Sequence, residues 1–186
     1  MISTALRLDI RALFRLWPAM LAMAIVVTVS NYLVQITIND WLTWAAFTYP
    51  IAFLVSDLTN RRAGPRAARQ VAWLGFALAV IISAMVSPVR IAAASGMAFL
   101  CSQMLDIFVF HRLRRKSWWR APLIASVFAS VLDTAVFFSC AFLGTGMPWF
   151  TLALGDLAVK LFMAICLLLP FRLLIPMVQE MRIAAR

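Results

Sequence analysis

Six apolar runs, each near twenty residues long, follow one another through this chain of 186 residues, at about 17–36, 41–59, 70–87, 89–110, 122–143 and 149–171. As a helix rising about 1.5 Å per residue, each run matches the roughly 30 Å of hydrocarbon in a bilayer. The helix is the element that satisfies its own backbone inside such a segment. The sequence therefore predicts an all-α integral membrane protein, a single compact bundle of six transmembrane helices. Connections as short as residues 87–90 and 144–148 make sequential helices antiparallel neighbours.

Charge supports this reading. Only 13% of residues are charged against 65% hydrophobic, where a soluble domain has about a quarter charged. The basic residues fall in alternate connections: Arg7, Arg11 and Arg15 before the first run, then Arg61, Arg62, Arg66 and Arg69 after the second. Arg112, Arg114, Arg115, Lys116 and Arg120 follow the fourth run, and Arg172, Arg182 and Arg186 the sixth. The positive-inside rule then puts both termini in the cytoplasm. The formal charge of +10 encodes orientation rather than nucleic-acid binding. Residues 1–16 read as an amphipathic cytoplasmic lead-in and residues 172–186 as a cytoplasmic tail. No small-residue cleavage site follows the first run, which is expected to be retained, with Pro18 in its first helical turn. Trp41, Trp44, Trp118, Trp119 and Trp149 mark span ends as interfacial anchors.

Cys101, Cys140 and Cys166 lie inside apolar runs without metal-ligand spacing and read as buried free thiols. His111 reads as an interfacial residue. Neither a metal nor a cofactor is expected, and no residue is expected to be catalytic.

The informative residues are polar ones inside the apolar runs. In the fourth, Ser95, Phe99, Ser102, Gln103 and Asp106 share a face, within roughly 100° at helical spacing. A carboxylate facing lipid costs several kcal/mol, so that face points into the protein. Asp133 lies near the middle of the fifth run, on a face with Ser126, Ser130 and Phe137. It is either a paired structural carboxylate or part of a transport path. Asp156 and Lys160, four apart in the sixth run, read as an ion pair that is structural or substrate-binding. Asn31 and Gln35 share a face of the first run, and interhelical bonding accounts for them as well as binding does. Asp57 and Asn60, beside Arg61 and Arg62, read as a surface or helix-end pair. Arg90 is an interfacial cation or an entry gate, and sixteen residues of helix (about 24 Å) keep it from pairing with Asp106. Residues 52–57 (AFLVSD) echo residues 98–103 (AFLCSQ), which chance explains as well as duplication. Carboxylates, amides and a lysine among Phe and Tyr suit the edge and face of a guanine-like heterocycle. They suit another polar solute or a proton relay equally.

Set out in order, SNYLVQ (30–35), TWAAFTYPIAFLVSDLTNRRAG (43–64), RIAAASGMAF (90–99), QMLDIFVFHRLR (103–114), WWRAP (118–122), Asp133-Thr134, Phe137-Phe138 and Asp156 with Lys160 resemble the queuosine-precursor transporter family, also called vitamin-uptake-transporter-like. No single motif carries the resemblance; the ordered set does, from about residue 30 onward. The third span and third loop look shorter than in some members, which affects the outer face. The resemblance implies uptake of the 7-deazaguanine precursors 7-cyano-7-deazaguanine or its aminomethyl relative across a bacterial inner membrane. It further implies secondary or facilitative movement without a dedicated ATPase. The build is similar to substrate-binding subunits of energy-coupling-factor importers, so the alternative is a capture subunit that needs an energising partner module. Ala19, Ala22 and Ala24 form no clean AxxxA face for such a partner. An intramembrane enzyme lacks support from any HExxH, GxSxG or GxGD-type motif, and an assembly protein would not put polar residues on five of six spans.

The expected site is therefore formed by Asp133 and Asp106 as acceptors for the base, with Gln103, Asn31 and Gln35 orienting it. Lys160 is tuned by Asp156, Tyr49, Phe137 and Phe138 stack, and Arg90 stands at the entry. A homodimer is a further expectation, because so small a bundle has little room to move around a central ligand.

Overall fold

The computed structural model describes residues 10–83, 88–115, 117–146 and 149–183. In chain order these form α1 (Ile10–Leu33), a hairpin of β1 (Thr37–Asn39) and β2 (Leu42–Thr43), α2 (Ala45–Thr48), α3 (Ile51–Ala63), α4 (Pro65–Ser83), α5 (Val89–Leu113), α6 (Arg120–Phe142), α7 (Trp149–Cys166) and α8 (Leu168–Ile183). The lead-in residues 1–9, the end of the third run at 84–87 and the tail residues 184–186 lie outside the described residues.

The protein is an all-α membrane protein, and its burial is inverted relative to a soluble one. Leu21, Ile25 and Val29 form an exposed stripe on α1, as do Phe162, Ile165, Leu169 and Leu173 across α7 and α8. Asn31, Gln103, Asp106, Asp133, Asp156 and Lys160 are buried. An apolar exterior around polar interior residues is stable only where the surrounding solvent is itself apolar. Among the described residues, four segments are long and apolar enough to cross a membrane: Leu16–Leu33, Val89–Leu113, Arg120–Phe142 and Trp149–Pro176.

Several sequence expectations are corrected. The helix holding the first run begins at Ile10, so Pro18 lies inside it rather than in its first turn. The second run is not one helix. Its start is the β-hairpin, and its helical part is broken at Pro50, which has no N–H to offer the Ala46 carbonyl. The 13 residues of α3 span only about 20 Å. The helix of the sixth run is interrupted at Leu167, where Pro170 leaves the Cys166 carbonyl without its helical donor. Cys101, Cys140 and Cys166 are free but exposed, not buried. In a membrane helix apolar sequence marks the lipid face as well as the core.

Side-chain hydrogen bonds define how the helices run. Ser56 meets Gln103 and Asn60 meets Ile107, both 47 residues apart, so α3 and α5 run parallel. The two echoing segments thus lie side by side. Arg90 reaches Leu143 while Ser102 reaches Asp133, so α5 and α6 are antiparallel. Asp133 and Thr134 meet Lys160 and Asp156 in the same opposed sense, fixing α7 against α6. Ala94 and Ala98 on α5 pack with Phe137, Phe138 and Ala141 on α6, small residues allowing close approach. At Gly155 a Cβ would stand 1.9 Å from the Trp41 carbonyl oxygen. The hairpin therefore lies directly on α7, one residue from Asp156.

Candidate functional site

Two helices bring charged side chains together in the interior, and a third adds a hydroxyl. The Lys160 ammonium lies 2.7 Å from Asp133 Oδ2 and 2.5 Å from Asp156 Oδ2. Lys160 and Asp156 belong to α7, one turn apart, while Asp133 enters from α6. All three are at most 5% exposed. Hydroxyls complete the arrangement: Thr134 donates to Asp156 Oδ2 at 2.8 Å, and Ser102 of α5 donates to Asp133 Oδ1 at 3.2 Å. Two carboxylates share one ammonium, so the cluster is short of one positive charge or one pair of strong donors. Desolvation makes that deficit costly, and a ligand with N–H donors would relieve it.

The cluster forms one wall of a partly open pocket enclosing about 310 Å³ of empty space, open solvent included. Asn31, Tyr49 and Phe137 line its other walls, with Ser30, Val34, Ala45 and Ser95. Ser95 donates to Asn31 Oδ1 at 2.5 Å, and the Tyr49 hydroxyl is 3.4 Å from Ser95 Oγ. The Tyr49 ring faces Lys160, with Nζ 5.4 Å from its centroid, a cation–π placement. Tyr49 lies between α2 and α3, its N–H donating to the Ala45 carbonyl at 2.9 Å, and its side chain is buried.

Of the residues expected at the site, the structure gathers Asn31, Tyr49, Asp133, Phe137, Asp156 and Lys160 around this cavity. Phe138 is buried beside it, edge-on to Phe137 at 5.1 Å. Gln35 follows the end of α1, is exposed, and donates to the Asn31 carbonyl at 3.2 Å, so it does not line the cavity. Arg90 is exposed at the first turn of α5 and donates to the Cys140 and Leu143 carbonyls at 3.2 and 2.6 Å. These are terminal carbonyls of α6, so Arg90 caps that helix. Gln103 and Asp106 are fully buried but line a different place, the contact of α5 with α3.

Asp57 and Asn60 overturn the surface reading: they are 2% and 0% exposed. The Asn60 amide donates to the Ile107 carbonyl at 3.1 Å, and Asp57 lies within hydrogen-bonding reach of Asp106. Their spacing of three residues on the α5-facing side was the available signal. The neighbouring Arg61 and Arg62 masked it. Ser95 and Thr134, which orient Asn31 and Asp156, were also missed as site residues.

Comparison with known proteins bears on what such a cavity serves. The family described as "Putative vitamin uptake transporter" matches residues 43–89 and 83–175. The "Queuosine precursor transporter" of Escherichia coli (strain K12) is 35% identical over 175 residues, covering 78% of this chain and 79% of its own. The chain belongs to the queuosine precursor transporter family. The "Probable queuosine precursor transporter" of Haemophilus influenzae is 34% identical over 186 residues, with 78% and 79% coverage. That of Bacillus subtilis (strain 168) is 27% identical over 124 residues, with 52% and 54% coverage. The family consists of transporters rather than enzymes, in keeping with a multi-pass membrane chain. No solved structure matches the chain.

Proposed function

We propose that this protein imports 7-deazaguanine precursors of queuosine, 7-cyano-7-deazaguanine or its aminomethyl relative, across the bacterial inner membrane. The observation that carries the reading is the Asp133–Lys160–Asp156 cluster opening on the cavity, in a chain 35% identical to a queuosine precursor transporter.

A guanine-like edge has a ring N–H and an exocyclic amine beside a carbonyl. The two donors complement a carboxylate that Lys160 only half satisfies, and the Lys160 ammonium complements the carbonyl. Asp133 is the acceptor we assign to the donors, because it is held from two helices. Asp156, bonded by Thr134, keeps Lys160 in place. Tyr49 and Phe137 offer ring faces to the planar base, and Asn31, oriented by Ser95, supplies a further amide. Substrate binding then exchanges an internal ion pair for substrate hydrogen bonds, so the buried charges stay paired throughout.

Six crossings with both termini in the cytoplasm follow from the alternating arginines, with α2 and α3 together as a broken second span and α7 and α8 as an interrupted sixth. Broken helices beside a midplane site are a recurrent build of secondary transporters. The chain works without a partner ATPase, and a homodimer fits its size. Uptake of labelled 7-cyano-7-deazaguanine into cells unable to synthesise it tests the reading. Wild-type chain is expected to restore uptake and a well-expressed Asp133→Asn variant to lose it. No uptake by correctly inserted wild type sinks the proposal.

A further inference from the structure

A second polar cluster lies deeper along α5 and has no role in the cavity described above. Asp106 is one turn beyond Ser102 and about 16 Å along the helix from Ser95. Its side chain meets Asp57 of α3, and for each of these two buried carboxylates the charged neighbour among the described residues is the other. Arg61 and Arg114 are near in sequence but their donors go to the Arg114 and Asn60 carbonyls. On the other elements packed here, Arg66 and Arg69 of α4 are exposed, Arg120 of α6 lies over Trp119, and Arg172 of α8 lies over Trp118. The Lys160 ammonium is committed to Asp133 and Asp156.

The hydrogen-bond balance at this contact is lopsided. No protein group donates to Asp57 Oδ1, to either oxygen of Asp106, or to Asn60 Oδ1, and the unpartnered donor beside them is Gln103 Nε2. Asn60 and Gln103 are both 0% exposed. Their other polar ends are anchored, Asn60 Nδ2 on the Ile107 carbonyl and Gln103 Oε1 on Ser56. The free ends are thereby held at the α3–α5 contact. Buried acceptor oxygens from two helices, two of them carboxylates, call for positive charge. Asp57 also lines a partly open pocket with Ser126, Pro122, Leu168 and Phe171.

We propose that Asp57 and Asp106, with Asn60 Oδ1, form a site for one monovalent cation, a proton or sodium, held by oxygens. One turn of α5 touches both clusters: Ser102 donates to Asp133, and its neighbour Gln103 accepts from Ser56. Filling the cation site therefore acts on the helix that holds the substrate-side carboxylate. The coupling of this cation to import rests on the transporter reading; the site itself does not.

Thermal unfolding of the purified full-length protein in detergent tests it without substrate. Wild type is compared in sodium chloride and in choline chloride, at alkaline and at mildly acidic pH. Binding to the folded state alone raises the melting temperature with ligand concentration. At alkaline pH a rise with sodium identifies a sodium site; a rise on acidification alone identifies a proton site. Asp57→Asn and Asp106→Asn, neutral and of the same shape, are expected to lose that response and to melt no lower than wild type in choline at alkaline pH. Asn60→Ala keeps both carboxylates and is expected to shift a sodium response to higher concentration. An unresponsive wild type, or the same response in wild type and both amide variants, overturns the site. Because no substrate is present, either result is separate from failure of uptake.

Discussion

Lys160 and Asp133 form an ion pair of 2.7 Å across α6 and α7, with neither side chain more than 4% exposed. Removing one partner from such a pair leaves a buried charge alone, at a cost of about 3–5 kcal/mol. Here the asymmetry is larger on one side, because Lys160 serves two carboxylates. Lys160→Met is expected to lower the melting temperature more than Asp156→Asn, which leaves a balanced Asp133–Lys160 pair. Unfolding of the detergent-solubilised variants checks the order.

Much of this cluster was legible from residue spacing. Asp156 and Lys160 sit four apart, and Asp133 stands in the middle of an apolar run, where a carboxylate demands a partner. What spacing does not carry is which helices become neighbours. Asp106 and Asp133 read alike as carboxylates inside apolar runs, yet α5 turns Asp106 toward α3 and Ser102 toward α6. Asp57 looked superficial beside Arg61 and Arg62, and its burial comes entirely from the helices across from it. The break at Pro50 was present in the sequence but hidden by an uninterrupted apolar count. The cysteines were misplaced because hydrophobicity separates membrane from water, not core from lipid.

Gly155 has a second consequence for the site. Its missing side chain admits the Trp41 backbone, and a methyl group would meet the carbonyl oxygen at 1.9 Å. Gly155→Ala should displace the hairpin from α7 at about 1–3 kcal/mol. Because Asp156 is adjacent, reduced substrate affinity is expected together with a lower melting temperature, measured on the same preparation.

Arg90 binds carbonyls at the end of α6 rather than facing the cavity. Arg90→Gln is expected to cost about 1 kcal/mol of stability with an unchanged KM for uptake. A raised KM at unchanged stability would restore the entry-gate role.

The exposed thiols give a contrasting case. Since Cys101, Cys140 and Cys166 face outward, simultaneous replacement by Ala should move stability by little, within about 0.5 kcal/mol per site, and leave uptake intact. A large loss in melting temperature would show that these thiols pack inside.

Transport of a deazaguanine base by this chain alone, through the Asp133–Lys160 cluster, requires no other protein in the membrane. Counterflow in liposomes containing only the purified protein measures that directly. With unlabelled 7-cyano-7-deazaguanine trapped inside, labelled compound should accumulate transiently in wild-type vesicles and not in Asp133→Asn vesicles. Absence of accumulation by folded, reconstituted wild type, or equal accumulation by the variant, would contradict the account.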